Sequence, residues 1–262
     1  DPLWSRGLGD VYKRQGPVST QAVLPPVLVP REPSHDRIGT ALKQHGFGVI
    51  HAAVTQIVTL PDAEKLHEEA TWQADWLVVT SANTVRMLPP DCLAQAREGG
   101  MRVAAVGRAT ARALTGLDIK ADLVPSTQSG AGLVDAWSEE GARVLLPVSQ
   151  LAAPTVPEGL AAKGCHVNRV DAYTSEPLEG LPEVVAQAWP ALAAVVVTSS
   201  SVARALTHLT EQAGLTWTRQ QPIAIGGPTA ATLAELGHPA AAVAAAPTPE
   251  GILTATLGVI HD

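Results

Sequence analysis

Two turns in the sequence place hydroxyl side chains where a helix is predicted to begin. They read Thr80-Ser81-Ala82-Asn83 and Thr198-Ser199-Ser200-Ser201. The first turn of a helix has unpaired backbone N–H groups and the positive end of the helix dipole, so these turns can bind a carboxylate or a phosphate. Ser, Thr and Asn are also the preferred helix caps, and capping is the favoured interpretation of either turn alone. The presence of both turns in register favours anion binding for the pair.

A second pair of turns combines a glycine with a hydroxyl in the first helical turn. These are Gly107-x-x-Thr110 and Gly226-x-x-Thr229. A glycine at a tight turn lets a ligand approach the backbone closely, as at phosphate-binding loops. Neither turn matches GxGxxG or GxxxxGK[ST], so the sequence gives poor support for nucleotide binding.

Two residues, Arg31 and Tyr173, have no equivalent in the repeat described below. Arg31 follows a predicted strand, where its guanidinium can fork onto a carboxylate or can be a solvated surface group. Tyr173 lies where the other copy has Thr55. It can be a packing residue or a functional one.

The turns belong to a long internal repeat. One copy begins at Val27-Leu28-Val29-Pro30 and the other at Val144-Leu145-Leu146-Pro147. Thr110 and Gly132 are 22 positions apart, as are Thr229 and Gly251. The repeat is far longer than the 20–50 residues of solenoid proteins, so it predicts two related lobes.

Within each copy, apolar runs alternate with helical patterns. This alternation is typical of parallel sheets with helices on both faces. The strand-to-helix turns then gather at the carboxyl edge of each sheet, where such folds bind ligands, and we expect two such edges to face one cleft. The pattern also predicts a β-rich segment at Val49–Val58, a helix at Asp62–Trp72 and a short strand at Leu123-Val124.

The composition excludes several classes of protein. The chain has 262 residues and a formal net charge of −7, whereas a nucleic-acid surface would be basic. No apolar run reaches the roughly 18 residues of a membrane span, and no His or Cys spacing indicates a metal. Cys92 and Cys165 are isolated, so we expect free, buried thiols in a reducing, cytoplasmic setting. Residues 1–15 lack the apolar core of a signal peptide, and we interpret 1–23 as a disordered or extraneous leader.

Together these segments resemble the uroporphyrinogen-III synthase family between about Val27 and Leu253. The segments that carry the resemblance are Val78–Val85, Ala105–Ala111, Val144–Pro147, Val170–Thr174, Val195–Ser201, Ala224–Ala230 and Pro247–Gly251. The resemblance implies an α/β fold with two Rossmann/flavodoxin-like parallel-sheet lobes joined by a two-stranded linker. It also implies a discontinuous first lobe, 24–53 plus 176–262, a second lobe at 58–170, and linkers at 54–57 and 171–175. The repeat alone would suggest two contiguous lobes.

The resemblance further implies a lyase of tetrapyrrole and haem biosynthesis. Such an enzyme cyclises hydroxymethylbilane with loss of water and inversion of the last pyrrole ring. Tyr173, at the hinge, becomes the candidate that assists departure of the hydroxyl. The substrate-binding candidates are Arg31, Thr80, Ser81, Asn83, Gly107, Thr110, Thr198, Ser199, Ser200, Gly226 and Thr229.

The family chemistry implies that no nucleophilic Ser or Cys is required, because the substrate supplies both nucleophile and electrophile. We also expect no cofactor and no metal. We expect a monomer that acts on a small molecule, contacts the upstream bilane-forming enzyme transiently, and binds neither nucleic acid nor membrane. The alternative is a non-catalytic sensor of the same fold that binds a tetrapyrrole or another anion. Such a sensor would bind its ligand without turnover.

Overall fold

A computed structural model describes residues 24–33 and 36–260. The leader predicted at 1–23 lies outside the described residues. The chain divides into two compact units. Unit 1 contains the residues up to Thr55 and those from Pro177 onward, and unit 2 runs from Gln56 to Glu176. The first boundary between the units falls inside the expected linker at 54–57. The second falls one residue beyond the expected linker at 171–175.

The strands and helices follow the predicted alternation. The strands are β1 (Leu24–Val29), β2 (Phe47–His51), β3 (Thr55–Thr59), β4 (Trp76–Val79), β5 (Arg102–Ala105), β6 (Arg143–Ser149), β7 (His166–Pro177), β8 (Ala194–Val197), β9 (Gln221–Ala224) and β10 (Ala242–Val243). The α-helices are α1 (Arg37–Gln44), α2 (Ala82–Val85), α3 (Pro90–Glu98), α4 (Arg108–Thr115), α5 (Gly130–Ala136), α6 (Thr155–Ala162), α7 (Glu183–Ala188), α8 (Ser200–Gln212), α9 (Gly227–Glu235) and α10 (Pro249–Val259). Short 3₁₀ helices lie at Pro61–His67, Glu69–Trp72 and Trp189–Ala191.

Each unit is built on a five-stranded sheet. The strand order is β10-β9-β8-β1-β2 in unit 1 and β3-β7-β6-β4-β5 in unit 2. Adjacent strands among β1, β2, β8, β9 and β10 run parallel, and so do those among β4, β5, β6 and β7. The carboxyl ends of these strands therefore lie along one edge of each sheet, and the helix starts that follow them lie there as well.

The central strands are buried on both faces, as parallel strands covered by helices should be. In β8, Val195 and Val197 pack into one apolar cluster of unit 1, whereas Ala194 and Val196 pack into another. In β4 of unit 2, Leu77 and Val79 face one cluster and Val78 faces a second. Aliphatic side chains make up most of these cores, together with a few buried tryptophans.

The two copies of the repeat exchange their first strands. β1 comes from the first copy but lies beside β8 of the second copy, with Leu28 opposite Val195. Conversely, β6 comes from the second copy but lies beside β4 of the first, with Leu145 opposite Leu77. Unit 1 is therefore discontinuous in sequence, unlike the contiguous lobes that the repeat alone suggests. The spacing between segments within one copy does not reveal this exchange, because it does not determine which of the two sheets a strand joins.

The spacing of 22 positions that ends at Gly132 in one copy and at Gly251 in the other has a structural reason. At both glycines the backbone of the preceding loop lies very close to the helix. A Cβ added to Gly132, at the start of α5, would lie 2.0 Å from the carbonyl oxygen of Thr127. A Cβ added to Gly251, in α10, would lie 2.3 Å from the carbonyl oxygen of Ala246. Both glycines thus serve the same packing of a helix against the loop that precedes it, rather than ligand binding.

The structure differs from the predicted helix at Asp62–Trp72. The segment forms two 3₁₀ helices separated by Glu68, whose backbone is extended. The Trp72 indole N–H donates to the carbonyl oxygen of Leu66 at 2.8 Å, and this tertiary bond takes an acceptor that a continuous helix would use. The β-rich segment at Val49–Val58 is also two strands, β2 and β3, one in each sheet. The predicted strand at Leu123-Val124 is a single parallel bridge between Leu123 and Ala104.

Cys92 is half-buried and Cys165 buried, and both are free. Across residues 24–33 and 36–260, no helix is both long and apolar enough to cross a membrane. In the same ranges, no group of three or more His, Cys, Asp and Glu side chains is placed to hold a metal ion.

Candidate functional site

The carboxyl edge of the unit 1 sheet gathers the candidates of that unit. β1 lies between β8 and β2, so Arg31, which follows β1, is flanked by the turn after β8 and the end of β2. The turn after β8 carries Thr198 and Ser199, and the turn after β9 carries Gly226. These residues lie on one edge of the sheet because the strands that they follow are parallel neighbours.

The hydroxyls of this edge are largely engaged in helix capping and packing. The Ser199 hydroxyl accepts the backbone N–H of Val202 at 3.2 Å and contacts the Ser201 hydroxyl at 2.9 Å. The Ser200 hydroxyl accepts from Thr232 of α9 at 2.8 Å, which ties α8 to α9. Thr229 is buried, whereas Thr198 is half-buried. Helix capping and anion binding are thus not exclusive here, because a cap uses only one of the free N–H groups of a first turn.

The structure adds two residues to this edge that sequence reasoning missed, Asp36 and His51. Asp36 caps α1, and its carboxylate accepts the backbone N–H of Ile38 at 3.1 Å and of Gly39 at 2.8 Å. The same carboxylate contacts Nε2 of His51 at 2.9 Å and Nη1 of Arg31 at 3.4 Å. The Asp36 side chain is fully buried, whereas 42% of the Arg31 side chain is exposed.

The carboxyl edge of the unit 2 sheet gathers the remaining candidates. Thr80 and Ser81 follow β4, and Ser81 caps α2 by accepting the N–H of Asn83 at 3.1 Å. The Asn83 side-chain oxygen lies 3.4 Å from Nη1 of Arg86. All three predicted residues of this turn are half-buried.

The turn after β5 is capped by a residue that the sequence did not indicate. Gly107 is the N-cap of α4 and has an extended backbone. The Gln128 side-chain oxygen accepts the N–H of Arg108 at 2.8 Å, and a Cβ on Gly107 would lie 3.0 Å from that oxygen. Thr110, one turn later, is buried. Gln128 therefore occupies one of the donors that an incoming anion could use.

Tyr173 lies in the apolar core of unit 2 and is only 4% exposed. Its hydroxyl is 3.3 Å from the hydroxyl of Thr84, which is fully buried in α2. The Tyr173 hydroxyl therefore meets the helix that begins at Ser81, and the two candidates share one local structure. The backbone carbonyl of Tyr173 also accepts the N–H of Gln150 at 2.8 Å, which ties the turn after β6 to β7.

A cavity of about 400 Å³ opens beside Thr80, against the first turns of α5 and α6. Ser129 and Thr155 contribute to its lining, as does Arg169 of β7. The guanidinium of Arg169 is held by Asp171 at 2.7 Å. The cavity is a concave feature at the same edge as the predicted turns, and no motif in the sequence indicated it.

A second cavity of unit 2, of about 480 Å³, is lined by three basic side chains. Arg108 and Arg112 come from α4 and Lys120 from the loop that follows it. Among the described residues, none of the three forms an ion pair with an acidic side chain. This acidic protein therefore has a local basic surface that begins at the Gly107 turn.

Comparison with protein families and with individual sequences names the same family twice. The family model described as uroporphyrinogen-III synthase HemD matches residues 36–254. The chloroplastic uroporphyrinogen-III synthase of Oryza sativa subsp. japonica is 27% identical over 201 residues, which cover 72% of this chain and 66% of the rice protein. The chain thus spans just under two thirds of the length of that relative.

Two solved structures have a similar fold. The uroporphyrinogen-III synthetase of Helicobacter pylori aligns with a TM-score of 0.63 and 17% identity, over 90% of this chain and 99% of the other. A mutant uroporphyrinogen III synthase of Thermus thermophilus aligns with a TM-score of 0.52 and 18% identity, over 89% and 98%. Because the family model matches well over half of the chain, the protein belongs to the uroporphyrinogen-III synthase family.

Proposed function

We propose that the protein is a uroporphyrinogen-III synthase, a lyase that cyclises hydroxymethylbilane with inversion of the last pyrrole ring. The observation that carries this proposal is the family match over residues 36–254, which includes all of the predicted site residues except Arg31. The two parallel sheets, each with hydroxyl-capped helix starts at its carboxyl edge, support it further.

The proposed reaction needs no protein nucleophile. Protonation and departure of the terminal hydroxyl of the substrate release one water and leave an azafulvenium cation. The substituted carbon of the last pyrrole attacks this cation and forms a spiro intermediate. The bond from this carbon to its original methylene bridge then breaks and leaves a second azafulvenium cation. The free α-carbon of the same ring attacks that cation, and loss of a proton completes the macrocycle with the ring inverted. Water is the leaving group, and no oxidant or reductant takes part. The protein therefore has to bind and orient a flexible chain and to assist the loss of the hydroxyl.

The substrate bears eight carboxylates, and the protein has a net charge of −7, so binding requires local donors. The capped helix starts at Ser81 and Ser199 offer backbone N–H groups of this kind. The basic surface formed by Arg108, Arg112 and Lys120 supplies cations next to the Gly107 turn. We assign these groups to acetate and propionate side chains of the substrate.

Tyr173 is the proposed proton donor to the departing hydroxyl. A phenol has one O–H to donate and an oxygen that can accept. If Thr84 donates to the oxygen of Tyr173, the phenolic proton remains available to the substrate, and the ring is held by the surrounding core. Thr84 is then a positioning residue. Because Tyr173 is 4% exposed, only a substrate seated against this part of unit 2 can reach its hydroxyl.

A coupled isomer assay tests the function. Hydroxymethylbilane is generated in situ, the protein is added, the products are oxidised, and the type I and type III porphyrin isomers are resolved. We expect predominantly type III. Type I alone, the product of spontaneous closure, from a protein with an intact circular dichroism spectrum would refute the synthase activity and leave a binding function.

The same assay tests the pairing of Tyr173 with Thr84. Thr84→Val removes the hydroxyl but keeps the shape of the side chain. We expect it to lower kcat in the wild-type background and to have little effect in a Tyr173→Phe background, because the two hydroxyls act as a unit. Equal kcat losses in the two backgrounds would contradict the proposed positioning role.

A further inference from the structure

We propose that Asp36 and His51 are positioning residues that hold Arg31 ready to bind a carboxylate of the substrate. This inference rests on the proposed function and names residues outside the predicted site. Arg31 follows β1, and His51 ends β2 directly beside it, since Val29 pairs with His51 in the parallel register. Asp36 is the residue that contacts both side chains.

The first argument is the burial and saturation of the Asp36 carboxylate. The side chain is fully buried, and its two oxygens receive two backbone N–H groups, one imidazole nitrogen and one guanidinium nitrogen. A buried carboxylate with this set of donors stays in place, because moving it would leave several donors unpaired. Asp36 is therefore a fixed anchor for any side chain that it contacts.

The second argument is the close packing around this anchor. A Cβ on Gly39 would lie 2.3 Å from Nε2 of His51 and 2.5 Å from Oδ2 of Asp36. The side chains therefore pack directly on the helix backbone, at a position where an added Cβ would displace them. An ordinary helix cap does not require an imidazole to pack against the first turn of the helix.

The third argument is the state of Arg31. Its N–H donates to the carbonyl of Val29 at 2.8 Å, so the backbone turns sharply after β1. One guanidinium nitrogen contacts Asp36, and 42% of the side chain remains exposed. The guanidinium has five N–H donors, so several remain for a ligand. Anchoring one end reduces the conformational entropy that a long side chain loses on binding.

The negative charge of Asp36 could also act on Arg31 in the opposite direction. A carboxylate beside Arg31 could instead weaken the attraction of that arginine for an anionic substrate. The two backbone N–H groups and the α1 dipole offset the charge of Asp36, so we expect its anchoring effect to prevail. The two possibilities predict KM changes of opposite sign when the charge of Asp36 is removed.

The test uses Asp36→Asn, His51→Asn and Arg31→Ala in the coupled isomer assay. Asn is a good helix cap but has one acceptor oxygen, so it cannot hold His51 and Arg31 together. We expect Arg31→Ala to raise KM by roughly 10- to 100-fold, as for loss of a charged hydrogen bond. Asp36→Asn and His51→Asn should each raise KM by roughly 2- to 10-fold with little change in kcat. In the Arg31→Ala background neither should raise KM further.

Asp75→Asn is the matched control. Asp75 also accepts a backbone N–H and an arginine, both from Arg143, but it lies at the amino end of the unit 2 sheet. We expect this variant to keep the wild-type KM. If Asp36→Asn fails to fold, the effect of His51→Asn on KM, measured with Arg31 present and in the Arg31→Ala background, still decides the question.

The outcomes separate this inference from the proposed function. If the wild type forms no type III isomer, the synthase function itself fails. With an active wild type, an unchanged or lower KM for Asp36→Asn refutes the positioning role. An equal KM increase with and without Arg31 also refutes it, because Asp36 would then act only on the fold.

Discussion

Replacing Gly39 by alanine is expected to destabilise unit 1, although the same change in a helix usually stabilises a protein. Gly39 is the third residue of α1, and its N–H donates to Asp36. An added Cβ would lie 2.3 Å from the His51 ring nitrogen and 2.5 Å from the Asp36 carboxylate. Both contacts are with the ends of side chains, so at least one side chain must move, and we expect the hydrogen bond between them to break.

The magnitude follows from two opposing terms. Alanine in place of glycine at an unstrained helical position contributes roughly 0.4–1 kcal/mol of stability. A hydrogen bond to a charged group is worth about 1.5–3 kcal/mol. The net loss is then about 1–2 kcal/mol, which corresponds to a fall in Tm of about 3–8 °C for a unit of this size.

Gly258→Ala provides the matched control. Gly258 lies in α10 of the same unit, and a Cβ there would meet no atom within 4 Å. We expect this variant to raise Tm slightly, so that one substitution type gives opposite signs at two helical sites. Thermal unfolding followed by circular dichroism at one pH measures both variants. A Gly39→Ala protein as stable as the wild type, beside a stabilised Gly258→Ala protein, would show that the Asp36–His51 contact contributes no stability.

Three further predictions follow from other parts of the molecule. Tyr173→Phe should keep the fold and lower kcat in the isomer assay by about 10²-fold or more, the contribution of a general acid, and full turnover would exclude the proposed role. Gly132→Ala and Gly251→Ala should each lower the free energy of unfolding by about 2–3 kcal/mol, because the Cβ would overlap a backbone carbonyl; urea unfolding measures this, and a neutral effect would contradict the close approach. The Arg143 side chain, together with its backbone N–H, lowers the pKa of Asp75 from 3.8 to about 2. The pair therefore stabilises the fold above pH 3.8 and loses this effect as the pH falls toward 2. The difference in Tm between Asp75→Asn and wild type should be small near pH 7, since this pair is largely exposed, and should vanish near pH 2; a difference that grows in acid would be the wrong sign.

Local chemistry in the sequence was sufficient for two of the helix caps. Ser81 and Ser199 each cap a helix, as their position between an apolar run and a helical pattern indicates. Gly46 and Gly164, which follow the C-caps of α1 and α6, both have a positive φ, as is common for a glycine just after a helix. These features depend on a few neighbouring residues, so the sequence contains the information directly.

Contacts between distant residues could not be predicted in this way. Asp36 and His51 are fifteen positions apart and meet only because β1 and β2 pair in one particular register. Tyr173 and Thr84 are 89 positions apart, and their contact depends on how β7 and α2 pack in the core. Period and spacing determine which face a residue occupies, but they do not determine which partner it meets there.

The exchange of first strands between the two copies has a consequence for how the chain folds during synthesis. Unit 2 is one continuous segment, Gln56–Glu176, and can form its sheet as soon as it has been made. β1 pairs with β8, whose residues lie roughly 170 positions later, and at about 5–20 residues per second the ribosome needs roughly 10–30 s to reach them. During this interval the apolar strand β1 lacks one of its two neighbours. We therefore expect slow completion of unit 1 and a need for chaperone protection of its first segment, although unit 2 is already folded.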